Sequence, residues 1–263
     1  MSIWAIIPAR SGSTAIPNKN ILAFDGHPLM AYSIAVAKST PCIERIIVST
    51  DSQEFASLAN SYGAETPFLR PKEISGNNAT DYECMSHVTN WFPEKEGNLP
   101  DLWLYLRPTT PNRCSKTLNK AVEYLSQHPA ATSLRSAHKS SESPFKWFLK
   151  NRQMLASPIS QEFSLEDINT PRQKFPDVYI PNGYIDIVRS KVIQESKVLH
   201  GDRVLVFETE RAYELDEEDD IEFLDFHIKN HLERDIRVFL NKKNKSKRGA
   251  MPKISDLEAN PKT

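Results

Sequence analysis

The stretch Pro8-Ala9-Arg10-Ser11-Gly12-Ser13-Thr14-Ala15-Ile16-Pro17-Asn18-Lys19-Asn20 follows an apolar run from Ile3 to Ile7 and sets two cations among small polar residues. In such a loop, backbone N–H groups can cradle phosphates while Arg10 and Lys19 neutralise their charge, with Gly12 allowing tight backbone geometry. Neither G-x-x-x-x-G-K-[ST] nor G-x-G-x-x-G is present, so this is not a Walker loop or a dinucleotide fingerprint. On the residues alone the loop reads equally as a phosphate cradle or as a polar connection with solvated cations. A second locus is the acidic run Glu214, Asp216, Glu217, Glu218, Asp219, Asp220. Its later members precede a helical pattern from Ile221, where carboxylates complement the helix dipole. Glu214 and Asp216 alternate on an expected strand end, which puts both on one face. Two hard oxygen ligands on one face suit Mg²⁺ shared with phosphates.

The elements that must position these groups follow an α/β rhythm. The run from Ile3 to Ile7 reads as a strand buried on both faces, and Arg45 to Asp51 and Leu102 to Leu106 read as further strands. Helical spacing appears over Pro28 to Ala37, Ser52 to Tyr62 (stopped by Gly63) and Ser115 to Leu125. Strands return at Val178 to Ile180, Tyr184 to Val188 and Val204 to Phe207, with a helix from about Ile221 to Leu232. The expected fold is a mostly parallel sheet flanked by helices, with ligand-binding loops after its strands. Residues 1–240 read as one domain. Within it, 136–178 has a weak pattern and reads as an inserted sub-domain, lid or oligomer contact. Residues 241–263 are polar and Lys-rich, and read as a disordered tail.

Composition narrows the classes. Hydrophobic residues are 39% and net charge is −1, so a packed core is expected, and overall charge gives no reason to expect nucleic acid or an anionic membrane as partner. Cys42, Cys84 and Cys114 form neither a metal spacing nor a disulfide framework, which fits a reducing compartment. No signal peptide or membrane-spanning run is visible, so a cytoplasmic protein is expected. His227 and His231 lack the Glu of H-E-x-x-H and read as a helix face. Asn78-Ala79-Thr80 is a sequon with no sign of secretion. The cations from Lys242 to Arg248 read as solvated.

The run IIPARSGSTAIPNKNI resembles the N-terminal signature of the acylneuraminate cytidylyltransferase family, the CMP-sialic acid synthetases and their relatives. Further matches follow in order: Val48-Ser49-Thr50-Asp51, Phe68-Leu69-Arg70-Pro71, Leu106 to Arg113, Pro171-Arg172-Gln173, Pro181-Asn182-Gly183 and Glu214-Leu215-Asp216. The resemblance spans about residues 3 to 225. It implies a Rossmann-like nucleotidyltransferase fold, a homodimer formed through the insertion, and Mg²⁺-dependent transfer of CMP from CTP to a 3-deoxy-2-keto sugar acid of sialic, legionaminic or pseudaminic type. An eight-carbon 3-deoxy acid as acceptor, or a catalytically silent nucleotide-binding regulator, are the alternatives.

Residue by residue, the resemblance implies that Ala9, Arg10, Gly12, Ser13, Lys19, Asn20, Arg70, Thr80 and Thr109 hold the nucleotide. Arg107, Thr110, Arg172, Gln173 and Asn182 would line the sugar side, and Arg107 could take a carboxylate bidentately. Arg10, Lys19 and Asp216 would carry catalysis, with Asp216 and Glu214 as metal ligands. This chain departs from the pattern in three places. Arg107 stands where Gln is usual, Glu214 replaces an Asp, and Asn182-Gly183-Tyr184-Ile185-Asp186 replaces the commoner N-G-A-I-Y. The first and third fall on the sugar side.

Overall fold

The computed structural model describes residues 1–13 and 15–244. In chain order the strands and helices are β1 (Ile3–Pro8), β2 (Ala23–Phe24), β3 (His27–Pro28), α1 (Leu29–Lys38), β4 (Arg45–Ser49), α2 (Gln53–Tyr62), α3 (Asp81–Lys95), β5 (Leu102–Tyr105) and α4 (Ser115–Ser126). There follow β6 (Ser133–Lys139), β7 (Phe148–Lys150), β8 (Ala156–Pro158), β9 (Tyr179–Arg189), α5 (Ser190–Ser196), β10 (Val204–Glu208), α6 (Asp220–His231) and α7 (Arg234–Asn244).

The central sheet has six strands in the order β10-β6-β9-β5-β1-β4. β1 pairs in parallel with β4 and β5, and β10 with β6, while β9 runs antiparallel between β5 and β6. The expected mostly parallel sheet is therefore present, with one reversed strand. Alternation along β1 and β5 sends side chains to two cores. Ile3, Ala5, Ile7, Leu102 and Leu104 pack with α1, α2, α4, α6 and α7, whereas Trp4, Ile6, Trp103 and Tyr105 pack with Met85, Val88 and Phe92 of α3. Burial on both faces is why these strands read as unbroken apolar runs.

Two expected boundaries move. Ser136 to Lys139 lie in β6 and belong to the sheet, so the irregular segment starts after Lys139. It carries the β7–β8 hairpin and a small aromatic core in which Phe163 sits 5.0 Å, ring to ring, from both Phe145 and Phe175. At the other end, α7 runs to Asn244 because Ile236 and Leu240 are buried against the main core, so the boundary after 240 falls inside a helix. Residues 245–263 of the expected tail lie outside the described residues. The three cysteines are free, and among the described residues no helix is long and apolar enough to cross a membrane.

Candidate active site

The loop after β1 is folded back by specific bonds. The Asp51 carboxylate, at the end of β4, accepts from the Ser11 N–H and hydroxyl, both at 2.8 Å. Asn20 Nδ2 donates to the Arg10 carbonyl at 2.9 Å. Asn18 takes a left-handed backbone (φ 53°) and opens a 3₁₀ turn over Lys19–Ile21. These contacts turn the loop over the C-terminal ends of β1 and β5. There Arg10, Gly12, Ser13, Lys19, Asn20, Arg70, Thr80, Arg107 and Thr109 converge on one cavity of about 280 Å³. The cationic groups expected to meet a nucleotide are thus brought together.

Their commitments differ. Arg10 donates to the Gly76 carbonyl at 2.5 Å and lies on the accessible side. Arg70 is 5% exposed and is held against β4 through the Ser49 hydroxyl and carbonyl. Thr80 forms a capping box with Glu83 at the start of α3, so its hydroxyl is already engaged in closing the helix end. Gly12 has an ordinary negative φ, and an added Cβ would meet only the Ser75 carbonyl at 4.0 Å, so its expected tight geometry is not required. Ala9 is fully buried and its N–H donates to the Ser49 carbonyl, which removes it from the nucleotide contacts.

A second cavity, about 580 Å³, lies over β9 and the chain after β10, with Asn182, Glu214 and Asp216 in its wall. Glu214 to Asp216 are not in a strand, contrary to expectation. Leu215 is buried and its N–H donates to the Thr109 carbonyl at 2.9 Å, which pins the segment and still turns both carboxylates toward the same cavity. Gly183 leaves room for that placement. Its φ is +61°, and a Cβ there would collide with the Glu214 carboxylate. Burial and the neighbouring Asp216 raise the Glu214 pKa. Asp220 starts α6 and accepts from the N–H groups of Asp216 and Glu217, as expected of a helix-start carboxylate.

Lys19, in the wall of the first cavity, reaches the segment that lines the second. Its ammonium donates to the Leu215 carbonyl at 2.9 Å and lies 3.9 Å from the Asp216 carboxylate. Among the described residues no group of three or more His, Cys, Asp or Glu side chains is arranged as a metal cage. The donor set nonetheless fits Mg²⁺, which typically takes one or two protein carboxylates and completes its shell with water and substrate phosphate oxygens.

The sugar-side expectations are revised most. Arg107 lines the first cavity, but its guanidinium is taken by two carboxylates, Asp81 at 2.6 Å and Asp186 at 2.8 Å. It is therefore not a free cation awaiting a carboxylate. Burial would raise the Asp81 pKa, yet Arg107 and the Tyr105 hydroxyl hold it below the usual value. Asn182 is 4% exposed, and both ends of its amide are bonded within the protein, to Ser136, Tyr184, Thr209 and Glu210. It braces the cavity wall. Thr110 is buried, 1% exposed, and its hydroxyl has no hydrogen-bond partner among the described residues. Arg172 and Gln173 line a smaller cavity of about 260 Å³ that adjoins the second through Ser140 and Glu142, and the Arg172 guanidinium donates to the Ser140 and Ser141 carbonyls. These two residues do not join Asn182.

Sequence reasoning gave no role to Asp51, Asp81, Asp186 or Arg113. Arg113 is 1% exposed and donates to five acceptors, namely the Arg107, Thr110, Gly183 and Tyr184 carbonyls and the Ser33 hydroxyl. It fastens the loop after β5 to β9. The signal for the helix start at Asp81 was present as T-x-x-E over Thr80 to Glu83.

Comparison with known proteins agrees with this architecture. The family model described as cytidylyltransferase matches residues 4–147. An N-acylneuraminate cytidylyltransferase of Escherichia coli O18:K1:H7 is 29% identical over 97% of this chain and 59% of its own length. A pseudaminic acid cytidylyltransferase of Campylobacter jejuni is 44% identical over 49% of this chain and 55% of its own length. The chain thus spans little more than half the length of these relatives. A solved CMP:2-keto-3-deoxy-manno-octonic acid synthetase complexed with CTP superimposes with a TM-score of 0.66 at 17% identity, over 88% of this chain and 100% of that one.

Proposed function

Because the chain belongs to the cytidylyltransferase family, we propose that it transfers CMP from CTP to the anomeric hydroxyl of a 3-deoxy-2-keto sugar acid of sialic, legionaminic or pseudaminic type, releasing pyrophosphate. The observation that carries this reading is the meeting of the cation loop and the carboxylate pair, where Lys19 in the wall of the first cavity lies 3.9 Å from Asp216 in the wall of the second. The sugar oxygen attacks the α-phosphorus, a new P–O bond forms, and the bond to the β-phosphate breaks. Such a transfer asks the protein for alignment and charge neutralisation. Arg10 and Lys19 face the triphosphate, and Arg70 fixes the cavity wall behind the nucleoside. Asp216 and Glu214 would hold Mg²⁺, which when bound neutralises phosphate charge.

CTP is the expected donor, with ATP and GTP much weaker. The test is pyrophosphate release from each nucleotide against sialic, legionaminic, pseudaminic and octulosonic acids, with the product identified by mass. Equal turnover of ATP and CTP on the best acceptor would end the cytidylyl assignment. CTP binding without release for any acid would make the chain a nucleotide-binding protein. Turnover of the octulosonic acid alone would move the acceptor to the eight-carbon class.

The same proposal includes a homodimer. What supports it is the inserted segment, where Phe148, Leu149, Met154 and Leu155 are each at least 57% exposed on and beside the β7–β8 hairpin. Exposed apolar surface on this scale marks an interaction site. Light scattering should return twice the monomer mass. A monomer at working concentration would remove the dimer from the proposal.

A further inference from the structure

Ile221, Leu224 and Ile228 hold α6 against the core, and His227 and His231 fall on another face toward its C-terminal end. Residues four apart on a helix lie one above the other. The two imidazole rings are 4.6 Å apart, centre to centre. They are more than a solvated helix face, because both border a cavity of about 510 Å³. Its wall also carries Arg113, Arg211, Glu210 and Glu233, two charges of each sign. Arg211, Ala212 and Tyr213 border this cavity and the second one alike. Among the described residues, Glu214 and Asp216 line the second cavity and not this one.

The pair has the features of a chelating site. A metal ion ~2.1 Å from a ring nitrogen lies about 3.2 Å from that ring's centre. Two rings spaced 4.6 Å apart then subtend about 90° at the ion, the angle of square-planar and octahedral coordination. Burial and the neighbouring His231 lower the His227 pKa, so its ring is uncharged at neutral pH and keeps a lone pair for a metal. The ring is also held from behind: its Nδ1 lies 2.5 Å from the Asn112 amide, ahead of α4. An amide can present oxygen or nitrogen. With Nδ1 donating to the Asn112 oxygen, Nε2 becomes the ligand, the arrangement in which an outer partner fixes a metal-binding histidine. The C-terminal end of a helix adds its own preference for a cation. His231 is exposed, and no third His, Cys, Asp or Glu completes a cage among the described residues. Water fills the remaining positions of such a site.

We propose that His227 and His231 form a two-imidazole site for a divalent transition-metal ion, positioned by Asn112 and separate from the Mg²⁺ carboxylates Glu214 and Asp216. The ion clips the end of α6 to itself and, through Asn112, to the chain ahead of α4. Imidazole selects Ni²⁺, Cu²⁺ or Zn²⁺ over Mg²⁺, which prefers oxygen ligands. The site stands independently of the proposed function, since it is measured without nucleotide or sugar.

The test is calorimetric titration of the full chain, free of any affinity tag, with Ni²⁺ and with Zn²⁺, in excess Mg²⁺ throughout. Wild type is compared with His227→Ala, His231→Ala, Asn112→Ala and Asp216→Asn, and melting curves are recorded with and without Ni²⁺. Losing either imidazole should weaken Ni²⁺ and Zn²⁺ binding by more than ~10-fold, and losing the outer partner Asn112 by about 10-fold. Asp216→Asn should leave both affinities within about twofold, because its carboxylate belongs to the other cavity. Saturating Ni²⁺ should raise the melting temperature of wild type and of Asp216→Asn, and leave that of the histidine variants where it was. Should His227→Ala fail to fold, His231→Ala, at an exposed position, carries the test. A wild type that binds neither ion overturns the proposal. So do histidine variants that bind as tightly as wild type, or a loss of affinity in Asp216→Asn as large as theirs, which would place the ion at the carboxylates.

Discussion

Replacing Lys19 with alanine is expected to leave the fold standing and to lower turnover at least ~100-fold, the scale of losing one preorganised charge contact in a transfer site. Lys19 is the side chain that joins the loop after β1 to the carboxylate segment, and its side chain is only 14% exposed. Its ammonium donates to the Leu215 carbonyl at 2.9 Å and stands in the wall of the cavity that Arg10 and Arg70 also face. A purely structural account makes it a tether between two loops. That account predicts a loss of about 1 kcal/mol, the net worth of one hydrogen bond, with turnover near normal once the protein is folded. The catalytic account predicts a small shift in melting temperature and a large fall in kcat. Measuring both on the same preparation separates them, and a folded variant with near-normal kcat would remove Lys19 from the catalytic set. Lys19→Arg keeps the charge and should retain more activity than alanine.

The parts of the fold legible in the sequence are those where local pattern and burial agree. β1, β4 and β5 are apolar on both faces because the sheet is covered on both sides. α3 was missed: it carries polar residues among its buried ones and a proline, Pro93, in its last turn. α7 was also missed, though Ile236, Phe239 and Leu240 have helical spacing, because its charged residues resemble the Lys-rich stretch that follows. The cation loop was legible because its chemistry is local and its order in the chain matches a family signature. What was not legible depends on pairs distant in the chain. Arg107 looked like a free cation from its neighbours, and only β9 brings Asp186 to it. Asn182 looked like a substrate contact, and only the close approach of Ser136 and Thr209 shows that its amide is fully engaged. Arg172 was drawn to the sugar side by motif order, whereas the inserted segment turns it toward its own carbonyls.

Asp216→Asn should have the largest effect of any single change, a loss of turnover of several orders of magnitude with the fold intact. Its carboxylate is 70% exposed, lines the second cavity and faces Lys19 at 3.9 Å. Its partner Glu214 is half-buried, with its pKa raised by burial and by Asp216 itself. Two carboxylates that repel one another in this way become favourable together when a divalent cation lies between them and the phosphates. Asparagine keeps the size and the hydrogen bonding of Asp216 and removes only the charge, so the variant isolates that role. Partial recovery at high Mg²⁺ or with Mn²⁺ is expected, because a weakened site can still be filled by mass action. Glu214→Gln should be milder, since the Asp216 charge remains. The rival account treats Asp216 as one more helix-start charge ahead of α6, worth about 0.3–1 kcal/mol. The structure already assigns that task to Asp220, which accepts from the Asp216 and Glu217 N–H groups at 2.8 Å. Under the rival account Asp216→Asn lowers the melting temperature slightly and leaves turnover and its metal dependence untouched. Turnover titrated against Mg²⁺ for both proteins, with melting curves alongside, decides between them.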